Sequence, residues 1–166
     1  MEVLDVINRL QNEPKFKEWK KDNKDSFLVH AFRMIDETDK DWQIGYYNKD
    51  DTMTTFVIER DDIKITPEEQ IFKKPETKIK PLDVKDVKID FDKALEIATE
   101  KQKNSYKKDS PLKRILILQD LDVGNVWNIT FVTQCFNTLN FKICSKTGKI
   151  KEEKVTSLMS FTDQKK

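Results

Sequence analysis

The sequence predicts an α+β fold built from two tandem units, each a helix laid across a small antiparallel sheet. Three observations carry that expectation. Apolar residues fall at helical spacing near the start and again after residue 90, each such stretch gives way to apolar–polar alternation, and the tryptophan segment 41–47 returns at 126–132.

Val3, Leu4, Ile7 and Leu10 lie on one stripe of a 3.6-residue period and predict the first helix. Phe27, Val29 and Ala31 alternate as a strand does, Trp42, Ile44 and Tyr46 give a second strand, and 54–59 a third. The second unit repeats the order. Phe91, Ala94, Leu95 and Ala98 form a helical stripe that Asp90 is placed to cap, Ile115, Ile117 and Leu121 mark one strand, Trp127, Ile129 and Phe131 the next, and 140–145 a third. Lys146-Thr147-Gly148-Lys149 reads as a turn with Gly148 at positive φ, followed by a fourth strand over 150–155. The runs 48–51 and 134–139 are polar loops, and Asp50-Asp51 and Asp61-Asp62 are turns.

A displacement of 85 residues sets Trp42, Ile44 and Tyr46 on Trp127, Ile129 and Phe131, Phe56 on Phe141, and Ile65 on Ile150. About 86 sets Val29, Ala31 and Ile35 on Ile115, Ile117 and Leu121, and about 87 sets Leu4, Ile7 and Leu10 on Phe91, Ala94 and Ile97, a drift that short loop insertions produce. Segment 73–81 holds Pro75, Pro81 and alternating charge, so the division is a repeat over 1–72, a linker over 73–83 and a repeat over 84–166. Units of this size have marginal cores alone, and the two are expected to pack together. Trp42, Ile44 and Phe56, with Trp127, Ile129 and Phe141, are the expected core anchors; the other reading of the two tryptophans is a pair of ligand-stacking platforms.

The order helix, strand, Trp-x-Ile strand, apolar strand and Lys-Thr-Gly-Lys-Ile turn resembles the PepSY family, in Val126-Trp127-Asn128-Ile129-Thr130-Phe131 and in 140–150 above all, and in Trp42-Gln43-Ile44 and Phe56-Val57-Ile58 of the first copy. The resemblance implies a cystatin-like helix-on-sheet fold and a binding or inhibitory module. It implies no catalytic residue and carries over no site.

Composition removes several classes of function. The 31 Lys+Arg and 30 Asp+Glu leave a formal charge of +1, too little for a global attraction to polyanions. Leu, Ile, Val and Phe make up 46 of 166 residues, enough for a core beneath a surface that is 37% charged overall. Three glycines cannot build a phosphate cradle or a dinucleotide fingerprint, and Cys135, Cys144 and His30 cannot complete a tetrahedral zinc site. Residues 1–11 hold no apolar run long enough for a signal peptide or a membrane span, so a cytoplasmic protein with reduced thiols and no membrane association is expected.

Few residues offer chemistry. His30 lies opposite the face of Val29 and Ala31 and reads as a structural histidine, with a catalytic base as the alternative. Asp36, Glu37, Asp39 and Asp41 form the densest acidic cluster; a calcium loop would need Glu at its twelfth position, where Tyr47 stands, so a solvated loop is expected. Residues 1–83 hold 15 basic and 19 acidic side chains, residues 84–166 hold 16 and 11. Lys101, Lys103, Lys107, Lys108, Lys113 and Arg114 form the most basic stretch, a candidate contact patch for phosphates and equally a helix end stabilised by cations. These readings converge on a non-catalytic module without a cofactor that binds a protein partner. The alternatives are a metal-dependent hydrolase using His30 with loop 36–41, and nucleic-acid binding through 101–114.

Overall fold

The computed structural model describes residues 2–38, 40–70 and 78–159. Helices α1 (Val3–Asn12), α2 (Pro14–Asp22) and α3 (Phe91–Ser105) accompany strands β1 (Phe27–Ile35), β2 (Trp42–Tyr47), β3 (Thr52–Ile58), β4 (Ile63–Ile65), β5 (Glu69–Gln70), β6 (Pro111–Leu121), β7 (Gly124–Thr133), β8 (Asn137–Cys144) and β9 (Ile150–Ser157). The fold is α+β, and all nine strands belong to one antiparallel sheet in the order β4-β3-β2-β1-β6-β7-β8-β9, with β5 also on β3.

Where each half was expected to own a sheet, β1 and β6 pair directly, from His30 opposite Gln119 to Ile35 opposite Arg114. Each would otherwise be an edge strand with a row of unpaired backbone groups, and the pairing removes both edges at once. The boundary at residue 72 and the first part of the expected linker, 73–77, lie outside the described residues.

The helices cover one face of this sheet. Val3, Val6, Ile7 and Leu10 of α1, Phe16 of α2, and Phe91, Ala94 and Ala98 of α3 join Ala31, Ile44, Phe56, Leu116, Leu118, Ile129, Phe141 and Ile143 in a single buried cluster. Trp42 and Trp127 meet within it at 6.4 Å between ring centroids, and Phe91 stands 5.2 and 6.1 Å from them. The Trp127 indole N–H donates to the Ile89 carbonyl at 2.8 Å, which satisfies the one polar atom of a fully buried ring.

Three local features depart from the sequence expectations. Ala31 pairs with Leu118 and Arg33 with Leu116, so Leu116 and Leu118 face the helices, while Ile115 and Ile117 take the other face. The run Ile115-Leu116-Ile117-Leu118 is apolar at every position, so a period of two cannot say which pair points in; on the helix side the displacement of 85 holds through this strand too. A bulge between Leu28 and His30 resets the alternation of β1, so Leu28 and Ala31 oppose the helix-facing Tyr46 and Ile44. Asp90 occupies the N-cap position of α3 without a side-chain cap bond there; its carboxylate accepts the Val3 N–H of α1 at 3.1 Å, tying the two helix starts together.

Residues 14–22 show no apolar stripe, yet they form α2 behind Pro14. Phe16 and Trp19, three residues apart, dock onto Tyr46 and Phe56, with Trp19 and Phe56 edge-to-face at 5.0 Å.

Candidate binding surface

Among the described residues, the second face of the sheet carries no helix. Across the join of the halves its registers run Val57, Gln43, Phe32, Ile117, Asn128, Lys142 and Glu152 in one row, and Met34, Ile115, Thr130, Asn140 and Lys154 in the next. Phe32, Met34, Ile115 and Ile117 form a half-buried apolar strip over β1 and β6. To one side Asn140 Nδ2 donates to Asn128 Oδ1 at 2.7 Å and Thr130 Oγ1 at 3.0 Å, and Lys142 pairs with Glu152 at 3.0 Å. The surface is thus an apolar centre with polar groups already oriented by one another, an arrangement suited to contact with another macromolecule.

His30 lies on this face in the row Thr55, Gly45, His30, Gln119. Its ring covers Gly45 so closely that a Cβ there would come within 2.3 Å of Cε1. Burial lowers its pKa from 6.5 to about 4, so the ring is neutral at physiological pH. Lys78, Lys80, Met53, Gln119 and Asp120 share with it a cavity of about 200 Å³.

His30 and Asp36 stand six residues apart on or beside β1, roughly 20 Å at the rise of a strand, so the histidine and the acidic loop do not meet. Asp36 accepts the Thr38 N–H at 3.0 Å and pairs with Lys40 at 3.5 Å; the Thr38 bond foremost, and Lys40 with it, lowers its pKa. Asp39 lies outside the described residues. Among the described residues no group of three or more His, Cys, Asp or Glu gathers to hold a metal ion.

The basic stretch is dispersed. Lys101 pairs with Glu153 at 3.6 Å, the Arg114 guanidinium lies 6.0 Å from the Phe131 ring on the helix side, and Lys113 takes the opposite face of β6. Lys103, Lys107 and Lys108 are exposed at the end of α3 and in the loop after it. Trp42 and Trp127 are buried, as are Ile44, Ile129, Phe56 and Phe141, which leaves no open ring face for stacking.

Both cysteines are free. Cys135 is exposed beside the Lys108 carbonyl. Partial burial pushes the Cys144 thiol up, but bonds from the Thr147 hydroxyl and the Thr147 and Lys146 N–H groups outweigh it and draw the pKa down.

Arg33 is a residue whose position the pattern could have flagged, since it shares the face of Ala31 in the alternation of β1. Its guanidinium packs 4.8 Å from the Phe91 ring and 5.5 Å from Trp42, and Arg33 lines a cavity of about 200 Å³ with Arg9, Lys40, Asp41, Glu59 and Arg60.

No family model matches the chain, and no curated protein matches it. Among solved structures, a "putative lipoprotein" from Clostridium difficile 630 is similar, with a TM-score of 0.56 and 18% identity over 86% of this chain and 90% of that one. At that identity the likeness is one of fold.

Proposed function

We propose that this protein is a non-catalytic binding module of two PepSY-like, cystatin-like repeats, which takes a protein partner against the face of its sheet opposite α1, α2 and α3. The observation that carries the reading is the strip of Phe32, Met34, Ile115 and Ile117 on the face opposite helices α1, α2 and α3, at the join of β1 and β6. The matched burial of Trp42 with Trp127, and of Phe56 with Phe141, at a constant displacement supports descent of the two halves from one unit. Two free thiols fit the reducing cytoplasm.

Ile117→Lys tests the reading, because Ile117 is only half-buried and the long lysine stem can lie along its neighbours. Wild-type protein and the variant are used as baits in extract from the native cells, and recovered proteins are compared by mass spectrometry. The expected result is a partner retained by the wild type and lost by a folded Ile117→Lys variant. Identical recoveries would count against this face.

A further inference from the structure

One end of the second half is built differently from the rest of the surface. Of five exposed large apolar side chains among the described residues, four belong to the second half: Leu112, Phe136, Val155 and Met159. Backbone contacts bring three of them to one end. Phe136 forms the tip of the β7–β8 turn, its N–H bonded to the Thr133 carbonyl at 3.2 Å and its carbonyl accepting the Leu158 N–H at 2.7 Å, which sets Met159 beside it. Gln134 N–H reaches the Ser110 carbonyl at 3.0 Å, bringing in the start of β6 and the bulge at Leu112.

Phe136 is 63% exposed and held at a φ of 59°, a left-handed conformation that a phenylalanine adopts at a cost. An apolar ring placed outward on a strained backbone gains nothing from its own fold. The turn beneath it is fastened: Asp109 accepts from Thr133 Oγ1 at 3.2 Å and Asn137 Nδ2 at 2.8 Å, and Cys135 Sγ bonds the Lys108 carbonyl at 2.8 Å. Those bonds place exposed Lys107 and Lys108 alongside the tip while engaging the nearby carboxylate of Asp109 internally. Asp36 and Glu37, which share a cavity with Leu112, are accompanied there by Lys40 and Lys113.

We infer that this end of the molecule docks onto an anionic lipid surface, Phe136, Leu112 and Met159 entering the interfacial layer while Lys107 and Lys108 meet the headgroups. Protruding apolar side chains on separate loops suit a fluid interface, which needs no shaped complement, and the flanking lysines select negative headgroups. The contact so inferred is interfacial, and no helix among the described residues is long and apolar enough to cross a membrane. It goes beyond the protein-binding reading and uses another part of the molecule.

The test is co-sedimentation of the whole chain with vesicles of phosphatidylcholine, with and without phosphatidylserine. Binding is expected to the phosphatidylserine vesicles and to weaken with salt. Phe136→Asn, chosen because asparagine tolerates the left-handed backbone, is expected to weaken it at least about ten-fold with an unchanged circular dichroism spectrum. Lys107→Gln with Lys108→Gln is expected to cost about five-fold per lysine. No binding to either vesicle, equal binding to both, or indifference to Phe136→Asn and to the lysine pair each overturns the inference. Ile117→Lys should bind vesicles as the wild type does, which separates this outcome from that of the protein-binding test.

Discussion

The first half of the chain covers its strands with two short helices and a knot of aromatic rings, Phe16, Trp19, Tyr46 and Phe56, each ring centroid within 6 Å of others in the group. The second half uses one helix of 15 residues, which contacts β7 and buries Ala94 and Ala98. The same strand pattern therefore accepts two different covers. Large rings fill the space under α2 and small residues lie under α3, since a core needs its volume filled more than it needs particular residues. Among the described residues the halves differ outside as well: the first exposes one large apolar side chain, Ile65, and the second exposes four.

Truncating the paired tryptophans should break this comparison most sharply. Trp127→Ala is expected to cost about 3–5 kcal/mol, and Trp42→Ala less, because Trp127 is wholly buried and holds the Ile89 carbonyl while Trp42 keeps 6% of its surface exposed. Urea midpoints of the two variants measure the difference, and equal losses would mean that the two rings are interchangeable supports.

His30 has no counterpart in the second half. Its folded-state pKa of about 4 lies below the ordinary 6.5, so the unfolded chain takes up the proton first as pH falls. The associated stability is complete above about pH 6.5 and declines by about 3 kcal/mol as pH falls to about 4. Burial alone accounts for the shift, although Lys78, Lys80 and Asp120 line the same cavity. In thermal melts across that range the wild type should lose this increment, while His30→Gln, which has no titrating group at that position, should not.

Gly45→Ala sharpens the same point. Its Cβ would fall 2.3 Å from the imidazole, so a loss of about 1–3 kcal/mol is expected, largely recovered in a His30→Ala background. A full loss in both backgrounds would place the strain in the backbone of β2. The smallest effect belongs to the link between the halves: Asp90→Ala removes the carboxylate that accepts the Val3 N–H and should cost about 1 kcal/mol by chemical denaturation.

Much of the fold was legible where one periodicity had no rival. The stripe of α1, the stripe of α3 and the alternation of Trp42, Ile44 and Tyr46 all stand in the structure with one face buried. The face of β6 was not legible, because Ile115, Leu116, Ile117 and Leu118 satisfy either choice. Helix α2 was hidden because a single turn anchored by Phe16 and Trp19 leaves no period to count. The apolar strip of the candidate surface was visible as residues but not as a surface: Phe32 and Ile117 are neighbours only because β1 pairs with β6. Phe136 gave no signal, since an aromatic residue in a loop reads the same whether it turns in or out.

By itself the sequence determined the character of each element, because helix and strand periods depend on neighbours a few residues away and on whether each side chain prefers water. Only the tertiary structure decided that the two strand sets would join into one sheet and that Asp90 would cap the helix of the other half. It also decided which face the helices would cover and where Phe136 would point. Those outcomes depend on contacts between residues about 85 positions apart, such as Ala31 with Leu118 and Val3 with Asp90, and no local pattern encodes which distant edge a strand will meet.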